Sequence, residues 1–136
     1  MIPYEYVWLS PDGRVTERLL KDWPLQDRER RALTVMLFRL FRTDWRQAVG
    51  SVIFKEKEAA IYYAKATGDV QLRPRLCRGP SKPNDEVTFL VRAIEKGNTT
   101  IPADAAKVAA WRFQELRAND ALRRRYRPMP PQATTE

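Results

Sequence analysis

The chain has 136 residues, with 25 Lys and Arg against 17 Asp and Glu for a net charge of +8, no histidine, and one cysteine, Cys77. That length fits one domain with a real core, and the composition excludes a Ser-His-Asp triad, a histidine general base, a histidine-ligated metal, an intrachain disulfide and a cysteine-rich zinc site. The charge is placed unevenly: residues 65–82 carry Lys65, Arg73, Arg75, Arg78 and Lys82 against Asp69, residues 123–127 carry Arg123, Arg124, Arg125 and Arg127, and the remainder is neutral.

Residues 4–9 (YEYVWL) are aromatic and β-prone and predict a first strand. Ser10-Pro11-Asp12-Gly13 follows as a sharp turn. Residues 16–42 read as helical. Thr16 is placed to cap a short helix over residues 17–22, and Pro24 stands at the start of a second. In that second helix Leu25, Leu33, Met36, Leu37, Leu40 and Phe41 recur at helical spacing, and Val35 and Phe38 widen the stripe. Residues 52–54 and 60–64 read as strands. Thr67-Gly68-Asp69 signals a hairpin. Residues 70–77 then alternate, with Val70, Leu72, Pro74 and Leu76 on one face and Gln71, Arg73, Arg75 and Cys77 on the other. Pro74 within that strand implies a bulge or an edge position.

Residues 78–85 form a loop, and residues 86–94 read as a buried central strand. Gly97–Thr100 breaks the pattern. Pro102 opens a last helix whose core face is Ala105, Val108, Ala109 and Leu116, with Asp104 at its positive end. The helix runs to about Asn119. These elements predict an α+β fold: an N-terminal strand, a two-helix hairpin, a three- to four-stranded antiparallel sheet and a C-terminal helix. Residues 1–122 are expected to be the domain. Residues 123–136 are expected to be a basic, proline-rich, disordered tail. No apolar run approaches the roughly 18 residues of a membrane span. The first residues lack the basic and apolar regions of a signal peptide, so a cytoplasmic location without membrane contact is expected.

The hairpin over residues 61–77 is the most informative region. Arg73 and Arg75 lie two apart on one strand face, roughly 6–7 Å from each other, which suits successive phosphates of a nucleic-acid strand. Lys65 lies on the partner strand, and Arg78 and Lys82 extend the patch. Tyr62 and Tyr63 point to opposite faces, so one of them can share the basic face and stack on a base. Arg92, Lys96 and the loop Gly97–Thr100 form a second set at the junction of the last strand and helix, near Arg73 if the strands are neighbours. The alternative for all of these is a solvated, arginine-rich sheet face.

Residues 61–76 (IYYAKATGDVQLRPRL), 86–102 (EVTFLVRAIEKGNTTIP) and 103–116 (ADAAKVAAWRFQEL) resemble the RelE/ParE toxin superfamily, especially its phage-derived branch. Ala93-Ile94-Glu95-Lys96-Gly97 stands at the family's lysine element. Thr100-Ile101-Pro102 stands at the helix start, and Ala105, Ala109 and Arg112 at the helix positions. The sequence departs from the family pattern at Tyr63-Ala64-Lys65, where an acidic-Leu-Arg motif is usual, and it has one lysine where the family has two. The resemblance implies a RelE-like fold and the toxin of a type II toxin–antitoxin system, either a ribosome-dependent mRNA endoribonuclease or a ParE-like inhibitor of a host protein such as gyrase.

For the endoribonuclease, cleavage by the RNA's own 2′-hydroxyl needs a base, a cation for the phosphorane and an acid for the leaving oxygen. Lys65 is the candidate base, Arg73 and Arg75 the phosphate clamps, and Lys96 a further contact or acid. Tyr62 or Tyr63 is the stacking platform. Arg78, Lys82, Arg92 and Arg123, Arg124, Arg125 and Arg127 supply backbone affinity. No metal or cofactor is expected. The expected partners are mRNA and the ribosome, or an acidic host protein, together with a cognate antitoxin. A plain nucleic-acid-binding module remains a third reading.

Overall fold

The chain in the computed structural model, which describes residues 1–24 and 26–127, begins with strand β1, Ile2–Leu9. The Ser10–Gly13 turn then returns it along β1 as β2, Val15–Arg18. Here the expected short helix is overturned. Thr16 does not cap a helix; its hydroxyl donates to the Trp8 carbonyl at 3.2 Å. A tight turn after a β-prone run makes the returning segment pair locally, and the β-branched Val15 and Thr16 suit that strand better than a helix of six residues.

Helix α1 spans Asp27–Phe41, starting three residues after Pro24, and buries Leu33, Met36, Leu37 and Leu40. Leu25, expected in the same stripe, lies outside the described residues. A one-turn helix α2, Trp45–Ala48, follows with a capping box between Asp44 and Gln47. The strands β3 (Ile53–Lys55), β4 (Ile61–Ala64), β5 (Ala66–Thr67), β6 (Gln71–Leu72), β7 (Arg75–Arg78), β8 (Glu86–Val91), β9 (Ile94–Lys96) and β10 (Thr99–Ile101) come next. Helix α3, Ala105–Ala118, a 3-10 turn and β11, Arg123–Arg125, end the described chain. Of residues 123–136, expected to be a disordered tail, 128–136 lie outside the described residues, whereas Arg123, Arg124 and Arg125 form β11, antiparallel to β1.

Eleven strands and three helices among the described residues correct the expected fold. The class is α+β, but one mixed sheet has seven strands and a second has four, so there is neither a two-helix hairpin ahead of the sheet nor a single sheet of three or four strands. The large sheet runs β11-β1-β8-β7-β4-β3, with β2 also on β1; β1 and β8 are parallel and the other pairs antiparallel. The small sheet runs β10-β9-β6-β5. Two strands of the sequence reading are each cut in two. Residues 70–77 break at Arg73-Pro74 into β6 and β7, because Pro74 has no N–H for a ladder. Residues 86–94 break at Arg92-Ala93 into β8 and β9. Each half joins a different sheet, and the Arg73 N–H to Ala93 carbonyl bond, 2.8 Å, ties the two crossings together. Gly97, at φ 62°, permits the β9–β10 hairpin that the sequence reading took only as a break.

The core lies between the sheets and the two long helices. Every residue of β8 is buried, as a central strand covered on both faces requires. Phe89, Leu90 and Leu76 meet Ala105, Ala109 and Leu116 of α3 in one apolar cluster, and α1 packs on β1 and β5. The buried Glu29 of α1 accepts the Val70 N–H at 3.0 Å and holds the β5–β6 turn. Gly68 lies close by: a Cβ there would come within 3.1 Å of the Glu29 carboxylate, a tight contact. No helix of the described residues is long and apolar enough to cross a membrane.

Candidate functional site

The double crossing between sheets creates a polar depression of about 290 Å³. Pairing registers align Phe54, Tyr63 and Arg75 in one row across β3, β4 and β7. Phe54 and Tyr63 stack with centroids 5.6 Å apart, and the Arg75 guanidinium lies 5.1 Å from the Tyr63 ring. Lys65 lies two residues beyond Tyr63, on the same side, with its ammonium 4.3 Å from the Phe54 ring. Tyr63, Lys65, Arg73 and Arg75, four residues assigned to chemistry from sequence, therefore line one depression.

The sequence reading missed two lining residues, Glu56 and Glu95; Thr100, the end of the loop it placed with Lys96, also lines the depression. Glu56 accepts Arg75 Nε at 2.9 Å. Glu95 lies 3.2 Å from Arg73 Nε, an ion-pair distance without an aligned hydrogen bond, so that buried nitrogen has no hydrogen-bond partner among the described residues. The other two nitrogens of Arg73 donate to the Leu72 carbonyl and Gln71 Oε1, and Arg75 Nη1 donates to the Arg73 carbonyl. Arg75 Nη2 has no such partner among the described residues and is not sealed by them from solvent. Three cations thus face two carboxylates. The usable donors are Lys65 and Arg75 Nη2, and the more accessible carboxylate is Glu95, 38% exposed against 17% for Glu56.

The signal for these acids was present but misplaced. The sequence reading stopped β3 at Phe54, and two more residues bring Glu56 to the same face. It also set Lys96 beside Arg73, whereas the register pairs Gln71 with Glu95 and Thr100 with Glu95. Lys96 is exposed, next to the β9–β10 turn, and does not line the depression.

The other predicted residues are spread over the molecule. Tyr62 points away from Tyr63 and packs edge-on to Trp45 at 4.8 Å. Arg78 lies 5.2 Å from the Trp45 ring and bonds the Pro83 carbonyl at 2.6 Å. Arg92 donates to the Leu19 carbonyl, and Lys82 is exposed in its loop. Arg123 is an internal anchor, 3.8 Å from the Tyr4 ring and 3.2 Å from Glu86. Burial pushes the Glu86 carboxyl up, but the Lys82 N–H and Arg123 outweigh it and hold the group below the usual carboxylate range. Arg124, Arg125 and Arg127 are exposed. Arg112 donates to the Leu90 carbonyl at 2.7 Å and lies over Tyr6 and Trp8, which gives it a packing role.

Cys77 is fully buried, and that burial pushes its thiol up to about 12, which removes it as a nucleophile. Among the described residues no group of three or more His, Cys, Asp or Glu is placed to hold a metal ion. Comparison with protein-family models, with characterised proteins and with solved structures finds no match.

Proposed function

We propose that the protein is an endoribonuclease that cuts mRNA at the depression between its two sheets, acting as the toxin of a type II toxin–antitoxin pair. The observation that carries this reading is the convergence of a carboxylate with free access, two cationic donors and a tyrosine around a space sized for a phosphodiester. The toxin assignment rests on the sequence resemblance, and the cleavage assignment on the side-chain set.

Glu95 takes the proton of the 2′-hydroxyl. The 2′-oxygen then attacks phosphorus, a 2′,3′-cyclic phosphate forms, and the 5′-oxygen leaves with a proton from Lys65. Arg75 Nη2 meets the charge that develops on the phosphorane. Arg73 fixes Glu95, and Glu56 fixes Arg75. The base role falls to Glu95 because it is the more accessible of the two carboxylates, while Lys65 is exposed and lies over the Phe54 ring as a donor. Tyr63 holds the Arg75 plane and offers a ring edge to the substrate.

The test is expression in cells followed by mapping of mRNA 5′ ends. Wild type is expected to stop growth and create new 5′-hydroxyl ends. Glu95→Gln, which keeps size and fold, is expected to lose about 10²–10⁴-fold in cleavage. Equal growth arrest by both proteins contradicts the mechanism.

A second reading, a non-enzymatic inhibitor of a host protein, is favoured by one observation. Val35, Phe38 and Phe41 of α1 are exposed large apolar residues, interleaved with the exposed Arg31, Arg39 and Arg42. Growth arrest without new mRNA ends favours that reading.

A further inference from the structure

Away from the sheet junction, a second cavity of about 330 Å³ lies between the end of β2, the chain entering α1 and the segment after β11. Half-buried Trp23 and Tyr126 line it, with Leu20 and Leu33. Trp23 and Tyr126 bond through their main-chain N–H groups, and neither the Trp23 indole N–H nor the Tyr126 hydroxyl has a hydrogen-bond partner among the described residues. Burial raises the Tyr126 hydroxyl above its ordinary range, which keeps it a neutral donor.

Four cations also line this cavity: Arg18, Lys21, Arg30 and Arg127. Arg18 is committed, giving two bonds at 2.8 and 3.0 Å to the buried Glu5 carboxylate. The other three are not. Lys21 and Arg127 are exposed and make no ion pair among the described residues. Arg30 donates Nε to the Pro24 carbonyl at 2.6 Å and lies 3.8 Å from Asp27, a loose contact. Asp22 is the one carboxylate in the lining among the described residues. Cations gathered over a single acid repel one another, and an anion relieves that repulsion. The aromatic and aliphatic lining suits a flat ring. The volume sits at the lower end of the roughly 300–1,000 Å³ of ligand sites, enough for one nucleotide and too little for two.

We propose that this cavity binds a single nucleotide, its base against Trp23 and Tyr126 and its phosphate on Lys21, Arg30 and Arg127. The nucleotide is either free or one unit of an RNA strand. Binding is read directly, so the proposal does not depend on cleavage.

The test is calorimetric titration of the full chain with AMP, with inorganic phosphate, and with a 2′-O-methyl hexanucleotide, which lacks the attacking hydroxyl. AMP is expected to bind with a Kd below about 1 mM, and phosphate at least tenfold more weakly. The Arg30→Gln/Arg127→Gln double variant and Trp23→Leu are each expected to weaken AMP about tenfold or more, while Trp23→Phe retains binding. Far-UV circular dichroism identical to wild type confirms that each variant is folded. A hexanucleotide bound much more tightly than AMP, and weakened by the same substitutions, identifies a strand as the source; equal affinities identify the free nucleotide. Three results overturn the proposal: no binding of either AMP or hexanucleotide, binding unchanged in the folded variants, or phosphate bound as tightly as AMP.

Discussion

Arg75→Ala separates the scaffold of the depression from its chemistry. The wild-type side chain is 7% exposed, and its guanidinium bonds Glu56 at 2.9 Å and caps the Arg73 carbonyl. Alanine leaves both partners unmatched. Removing one member of a buried ion pair costs about 3–5 kcal/mol. Glu56 keeps 17% exposure, so water solvates it in part and the loss falls near the lower end, about 3 kcal/mol. For a domain of this length that lowers Tm by about 10 °C. Replacing both charges, Arg75→Met with Glu56→Leu, leaves no buried charge alone and is expected to return stability to within about 1 kcal/mol of wild type. Urea unfolding followed by circular dichroism measures all three proteins. A loss under about 1 kcal/mol for Arg75→Ala, or a double variant no better than the single, refutes the reasoning.

Glu86 gives a pH dependence. Its folded carboxyl ionises below the ordinary 4.5, so the unfolded chain binds the extra proton; this contribution is present above pH 4.5 and is lost as pH falls through the folded value. Glu86→Gln is expected to flatten acid unfolding in that window, as urea midpoints at stepped pH will show. Cys77 has the opposite sign at the alkaline end. Burial raises its folded thiol from the ordinary 9.0 to about 12, so its contribution is present below pH 9 and is lost as pH rises toward 12. At pH 8 a thiol reagent is expected to label native protein only as fast as it unfolds; labelling within seconds contradicts that burial. Phe89, fully buried in β8, is expected to cost about 3–5 kcal/mol when replaced by alanine, measured by the same urea unfolding.

How much of this was legible in the sequence depended on whether local chemistry decided the matter. The strand 4–9, the stripe Leu33-Met36-Leu37-Leu40, the Thr67–Asp69 turn and the α3 face follow from period and turn residues, and they appear at or near those positions. Val15–Arg18 was misread because pairing with β1, not propensity, determines its conformation. Periodicity also hides which sheet a strand joins. Arg73-Pro74 and Arg92-Ala93 each carry the chain from one sheet to the other, and a continuous alternating run gives no sign of that crossing.

At the depression, Tyr63, Lys65, Arg73 and Arg75 were legible as one basic hairpin face. The acids that fix the two arginines were not, because Glu56 and Glu95 reach them through pairings between distant strands. Arg123 looked like a free cation in a terminal cluster, yet it is buried against Tyr4 and Glu86.

The most direct measurement is cleavage of a defined mRNA in a ribosome-containing translation extract, with the chemistry of the new ends read on sequencing gels. Wild type is expected to leave 2′,3′-cyclic phosphate and 5′-hydroxyl ends, and folded Glu95→Gln to leave at least about a hundredfold fewer. Intact mRNA with wild-type protein, or equal cleavage by Glu95→Gln, contradicts the assignment of this depression as a ribonuclease site.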